Sequence, residues 1–192
     1  GGIAMAAISN ACGDLRERVE ILKCVNQATS LAWECERTVW ANVQPSTART
    51  IFSTAGLSAP GVEILLRRQP LERTQAIRWR GQHVFITDIK PQHRSHMLAT
   101  GAIVPISQCV ADIHAGSGTL QFPAVLTEKY LKHEQLEPYA INLITYVLVT
   151  PPSVELKRGG LVQVDGTAYE VQLAHVLDST KREYEIVRKE DL

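Results

Sequence analysis

One short pattern occurs twice in this chain. The stretch IRWRGQHVFIT (77–87) alternates apolar and charged residues, turns at a glycine, and is then apolar at every second position. VQVDGTAYEVQ (162–172) has the same form. An offset of 85 superposes Gly166 on Gly81, Val162 on Ile77, Val164 on Trp79, Tyr169 on Val84 and Val171 on Ile86. Without a gap it also sets Val147 on Val62, Val149 on Ile64, Leu156 on Leu71 and Arg158 on Arg73. Apolar meets apolar at every second position, as keeping one face of a hairpin in a core demands. Self-similarity of this length points to two related β-units. The entry segments, 15–61 and 119–146, do not align.

The remaining pattern agrees with a mainly β chain. LRERVEILKCV (15–25) and RTVWANVQP (37–45) read as strands, the second ended by Pro45, which cannot donate to a ladder. VEILLRRQ (62–69) and the hairpin around Arg80-Gly81 follow, then GAIVPIS (101–107), which Pro105 places at an edge. Between them, residues 46–61 are rich in Ser, Thr, Ala and Gly and form a long loop of the kind that is usually functional or disordered. Its isolated Ile51, Phe52 and Leu57 either dock onto a partner or fold back onto their own core. Gly116-Ser117-Gly118 reads as a linker, and Val125, Leu126, Tyr130 and Leu131 recur at near-helical spacing. The expectation is two small antiparallel β-barrel or sandwich domains in tandem, at 5–111 and 119–192. A 112–118 linker joins them, with the long loop in the first domain and a short helix in the second.

Charge divides the same way. The chain is neutral overall, with 20 basic and 20 acidic residues. Residues 1–111 carry 12 basic against 8 acidic, a net +4, and residues 112–192 carry 8 against 12, a net −4. The basic excess centres on Arg67, Arg68, Arg73, Arg78, Arg80, Lys90 and Arg94. Two readings stay open: ordinary solvated strand faces, or a basic unit that packs against an acidic one within or between chains.

Reactive chemistry is not evident. Cys12, Cys24, Cys35 and Cys109 form no C-x-x-C pair and read as free buried thiols. His93 and His96 read as a solvated loop rather than a metal site. No G-x-S-x-G elbow, Walker A, G-x-G-x-x-G or H-E-x-x-H is present. The expectation is a protein that is not an enzyme and uses no cofactor or metal. No apolar run approaches the roughly 18 residues of a membrane helix, and the opening GGIAMAAISN lacks a basic signal-type n-region.

Five stretches, DLRERVEILK, ECERTVWANVQPSTARTIF, VEILLRRQP, AIRWRGQHVFITDIKP and HMLATGAI, occur in this order within about 14–107. In that order and spacing the region resembles the head closure (head–tail joining) proteins of tailed bacteriophages, in which a VWA.V.P strand precedes a long loop and a small β-barrel. Here those positions are Val39, Trp40, Ala41, Val43 and Pro45. The resemblance implies a non-enzymatic ring component of the virion neck, assembled in the bacterial cytoplasm. Its implied partners are further copies of itself, a portal or adaptor protein, tail proteins, and DNA passing without sequence specificity. The long loop would then touch neighbouring rings or gate the channel. Candidate interface residues are Ser46, Arg49, Ile51, Phe52, Leu57, Arg67, Arg68, Arg78 and Arg80. Members of that family are usually one domain, so the second unit is a departure, consistent with a connector that meets the head with one barrel and the tail with the other.

Two other readings remain. An OB-type nucleic-acid module would combine the Arg67–Arg94 patch with Trp79, Phe85 and His83 as stacking groups. A tail completion or terminator ring is indistinguishable by sequence from a head-side ring.

Overall fold

A computed structural model describes residues 15–53, 56, 58–112, 118–129 and 144–191. Twelve strands dominate it: β1 (Glu17–Gln27), β2 (Ser30–Thr50), β3 (Ala59–Arg67), β4 (Ala76–Trp79), β5 (Gln82–Gln92), β6 (His96–Val104), β7 (Ser107–Asp112), β8 (Thr119–Glu128), β9 (Thr145–Thr150), β10 (Leu161–Val164), β11 (Thr167–Asp178) and β12 (Lys181–Arg188). They form one continuous hydrogen-bonded sheet in the order β1-β4-β5-β6-β3-β2-β8-β7-β10-β11-β12-β9. β1 also pairs with β2, and β8 with β9, so the pairing closes into two cycles of six. The order β1-β4-β5-β6-β3-β2 of the first is reproduced by β7-β10-β11-β12-β9-β8 in the second. Closure gives every strand of each cycle a partner on both sides over part of its length.

The repeated hairpins match closely. Arg80 and Gly81 have φ of 49° and 76°, and Asp165 and Gly166 have 48° and 85°. Two consecutive positive φ values make both turns type I′, whose twist suits a two-residue hairpin. Each long strand then bulges at the same place: the β5–β6 register shifts between Ile86 and Asp88, and the β11–β12 register between Val171 and Leu173.

One part of the ungapped alignment is displaced. Ile64 pairs with Ala99 in the first cycle, and in the second Leu148 pairs with Tyr184, the counterpart of Ala99. β9 therefore matches β3 at an offset of 84, and Leu148, not Val149, stands where Ile64 does. The reason lies in burial: Val147, Leu148 and Val149 are all buried, on opposite faces of one strand. An all-apolar strand carries no period-2 signal to fix its phase.

Each cycle encloses its own core. Val19, Ile21, Val43, Ile64, Ile77, Trp79, Val84 and Ile86 fill the first. Phe122, Leu148, Val162, Val164, Tyr169, Val171, Tyr184 and Ile186 fill the second. The Tyr184 hydroxyl, donating to Val154 O (2.8 Å) and accepting from Leu156 N (3.1 Å), pins the connection that follows β9.

Several sequence expectations are corrected. β2 does not end at Pro45, which still pairs with Val62 and precedes a register shift that absorbs its missing donor. Consequently 46–50 and 59–61 belong to strands, and only 51–58 connect them. β6 is an interior strand between β5 and β3, and Pro105 lies beyond its end. The short helix is absent among the described residues. Val125–Glu128 continue β8, paired with Val149–Tyr146, and the rest of that stretch (130–143) lies outside the described residues. The single helical element described is a 3-10 turn at Lys189–Asp191. β7 pairs with β8 and β10, so the chain enters the second cycle between Val104 and Ser107, ahead of the expected 112–118 linker. Residues 113–117 of that linker lie outside the described residues. His96 is buried in β6, not solvated, with its Nδ1 2.9 Å from Ser95 Oγ. Cys35 is exposed rather than buried.

Candidate functional site

The seam between the two cycles is the most elaborated region of the molecule. β strands bury alternate residues inward, so a strand that meets a second unit must be apolar on its outer face too. That is what β6, β8 and β9 do. Ala102 and Val104 of β6, Val125 of β8, and Val147 and Val149 of β9 form a third apolar cluster with Phe52 and Ala59, flanked by Phe85 and Ile106. Two arms of the first cycle strengthen it. The tip of the β1–β2 hairpin reaches across: Thr29 O accepts from Gln121 N (2.9 Å), Ser30 bridges Gln121, and Leu31 and Cys24 pack in the second core. The 51–58 connection supplies Phe52, whose ring lies 6.1 Å from that of Phe85.

Buried polar groups line the same seam. Lys181 Nζ donates to Phe52 O and is 3.6 Å from Glu183, itself buried. Glu185 accepts from Lys129 (2.8 Å) and His175 (2.7 Å). Burial alone would raise the Glu185 pKa, but these hydrogen bonds hold it below the ordinary carboxylate range. Ser53 Oγ accepts from Gly56 N (2.9 Å), and Gly56 bridges Lys129. A Cβ on Gly56 would sit 2.4 Å from Thr127 Cγ2, so the connection lies against β8 closely enough to require glycine. Beside the seam, His83 faces Trp33, and a small cavity of about 20 Å³ lies among His83, Phe85, Ile106, Ala124 and Val149. His83 Nε2 is buried with no hydrogen-bond partner among the described residues, and burial, then the Arg78 charge, push its pKa down to about 4.

The candidate interface residues are placed differently from one another. Phe52 is buried in the seam, so this apolar residue folds onto its own chain. Ser46, Arg49 and Ile51 lie on the arm outside it. Ser46 Oγ accepts from Ala48 N (3.1 Å), and Arg49 Nε donates to Ser58 O (3.1 Å). Ile51 is 72% exposed. Leu57 lies outside the described residues. Of the four candidate arginines, Arg78 pairs with Glu20 (2.7 Å) and Arg80 with Glu17 (3.1 Å), so β1 carboxylates engage two of them, while Arg67 and Arg68 stay exposed.

The stacking groups of an OB-type reading are placed otherwise. Trp79 is 5% exposed and donates to Glu17 Oε2 (2.5 Å), and Phe85 and His83 face the seam. The exposed tryptophan is Trp40, at 56%. Sequence reasoning passed over it as part of a strand motif. Its alternation against buried Ala41 was the available signal, since an outward tryptophan has no core role. Among the described residues, no group of three or more His, Cys, Asp or Glu side chains has metal-binding geometry, and no helix is long and apolar enough to cross a membrane.

No family model matches this chain, and no curated protein or solved structure is significantly similar to it.

Proposed function

We propose that the chain is a structural component of a tailed-phage neck: two small β-barrels in tandem that join head to tail as part of a ring around the DNA channel. The observation that carries the proposal is the seam. Two strand cycles of the same order are locked by the apolar cluster around Phe52 and by the Thr29–Gln121 contact. A connector transmits position from one partner to another, so its two faces must keep a fixed relation. A seam held by both contacts supplies that, where a flexible tether does not. The sequence resemblance over about 14–107 gives the neck as the setting, and the second cycle gives a second docking face. On the arm, the exposed Ile51 is the group available to a neighbouring ring, while Phe52 serves the internal seam.

The decisive experiment removes the chain from the phage that encodes it. The expected result is filled heads and complete tails that remain separate, restored to joined particles by the wild-type chain. Joined, infective particles without the chain would overturn the proposal. Deleting 46–60 is a poor probe, because it removes paired strand residues and Phe52 with the arm. Ile51→Asp changes only the exposed tip and is expected to lower the yield of joined particles.

A further inference from the structure

The pairings close each strand cycle, and side chains on the outer faces are available for copies of this chain to meet. Among the described residues, large exposed apolar side chains occur at few places. On the first cycle, Trp40 stands directly across the β1–β2 pairing from Arg18, whose guanidinium lies 5.8 Å from the ring. Trp40 and Arg67 line one open groove of about 560 Å³. Neither Arg18 nor Arg67 is ion-paired with a carboxylate among the described residues. On the second cycle, Leu161 and Leu173 are 44% and 46% exposed. Glu170 is the directly opposed neighbour of Leu161 on β11, three residues before Leu173, and its carboxylate accepts from the neutral amide of Gln172 (3.3 Å). One face is thus an aromatic anchor between two cations, and the other is two aliphatic anchors with a carboxylate.

We infer that the Trp40 face of one copy receives the Leu161–Leu173 face of the next, with Glu170 set between Arg18 and Arg67. The inference rests on the ring reading above and names the surfaces that would build it. The two patches are unlike and lie on different cycles, so the contact is head-to-tail and repeats, as a ring requires. The net charges of the two halves, +4 and −4, favour the same pairing and disfavour like halves meeting. An exposed tryptophan with flanking arginines is the composition of an interface anchor.

The test is sedimentation velocity of the full chain in low salt, over a concentration series reaching millimolar. The expected wild-type mass grows with concentration beyond two chains and falls back as salt is raised. Trp40→Ala, Arg67→Glu and Glu170→Arg each weaken association by about tenfold or more. The double variant Arg67→Glu/Glu170→Arg associates more strongly than either of its single variants, because each interface then carries the reversed pair beside the unchanged Arg18. Circular dichroism confirms that each variant is folded. A wild type of single-chain mass throughout overturns the inference. So does association untouched by the three single variants, or weakened by them and no stronger in the double variant, and these outcomes leave the head–tail joining test standing separately. Quenching of tryptophan fluorescence by a single-stranded oligonucleotide that is lost in Trp40→Ala would assign the face to nucleic acid and overturn the self-contact.

Discussion

The rings of Trp33 and His83 lie 5.2 Å apart at 59°, beside the seam between the two strand cycles. Burial and the Arg78 charge hold the His83 pKa near 4, against an ordinary 6.5. The neutral form is therefore the folded form. Because the folded value is depressed, this contribution is complete above about pH 6.5 and is lost as pH falls toward 4. Linkage over that shift predicts that the wild type loses about 2 kcal/mol between pH 7 and pH 5. Urea titrations at the two pH values measure it. His83→Gln is expected to flatten the difference, and an equal loss in that variant would show that His83 is not its source. Glu185 loses its contribution at lower pH, as its depressed pKa is crossed, so the carboxylate is not the source of a loss between pH 7 and 5.

Phe52 and Ile51 are adjacent and opposite in fate: one is 3% exposed in the seam and the other 72% exposed. Phe52→Ala is expected to cost about 3–4 kcal/mol through lost burial and the cavity it leaves. Ile51→Ala is expected to stay within about 0.5 kcal/mol. Denaturant unfolding of the two variants compares them directly, and equal effects would contradict the packing of this connection.

The duplicated hairpin could be read before any coordinates because its turns and its period-2 faces are local. Gly81 and Gly166 mark turns, and Ile77 and Trp79 before the first turn and Val84 and Ile86 after it fall at every second position. The phase of β9 could not be read, because Val149 serves the seam while Leu148 serves the core, and sequence records both simply as apolar. The same ambiguity hid the seam itself. Phe52 looked like a stray apolar residue in a loop, since its partners Val125, Val147 and Val149 lie at least 73 positions away. Charge misled for a related reason. Arg78 and Arg80 count toward a basic patch until the pairing of β1 with β4 brings Glu20 opposite Arg78 and places Glu17 by Arg80.

The thiols separate by environment. Cys35 is exposed, whereas burial pushes Cys24 up to about 11, and burial with the nearby Asp165 charge pushes Cys109 up to about 12. Thiolate is the reactive form, so at pH 7.5 a maleimide should label Cys35 well before Cys24 or Cys109. Peptide mapping after brief labelling checks the order, and early modification of Cys109 would show that the second core opens readily.

Gly81 and Gly166 test whether the two turns are energetically as well as geometrically equivalent. A Cβ at either would meet no atom within 4 Å, so any cost of alanine is the cost of a positive φ alone. That cost is about 1–2 kcal/mol for an L-residue. The two turns lie in separate strand cycles with separate cores, so the double variant should lose close to the sum of the single losses. Gly101→Ala is a contrast of a different kind. Its Cβ would stand 2.5 Å from Val84 Cγ1 and 2.7 Å from Phe85 O, so overpacking adds to the loss, and about 2–3 kcal/mol is expected. Denaturant midpoints for the four variants decide the matter. A loss at Gly81 without one at Gly166 would mean that only the first hairpin depends on its I′ turn.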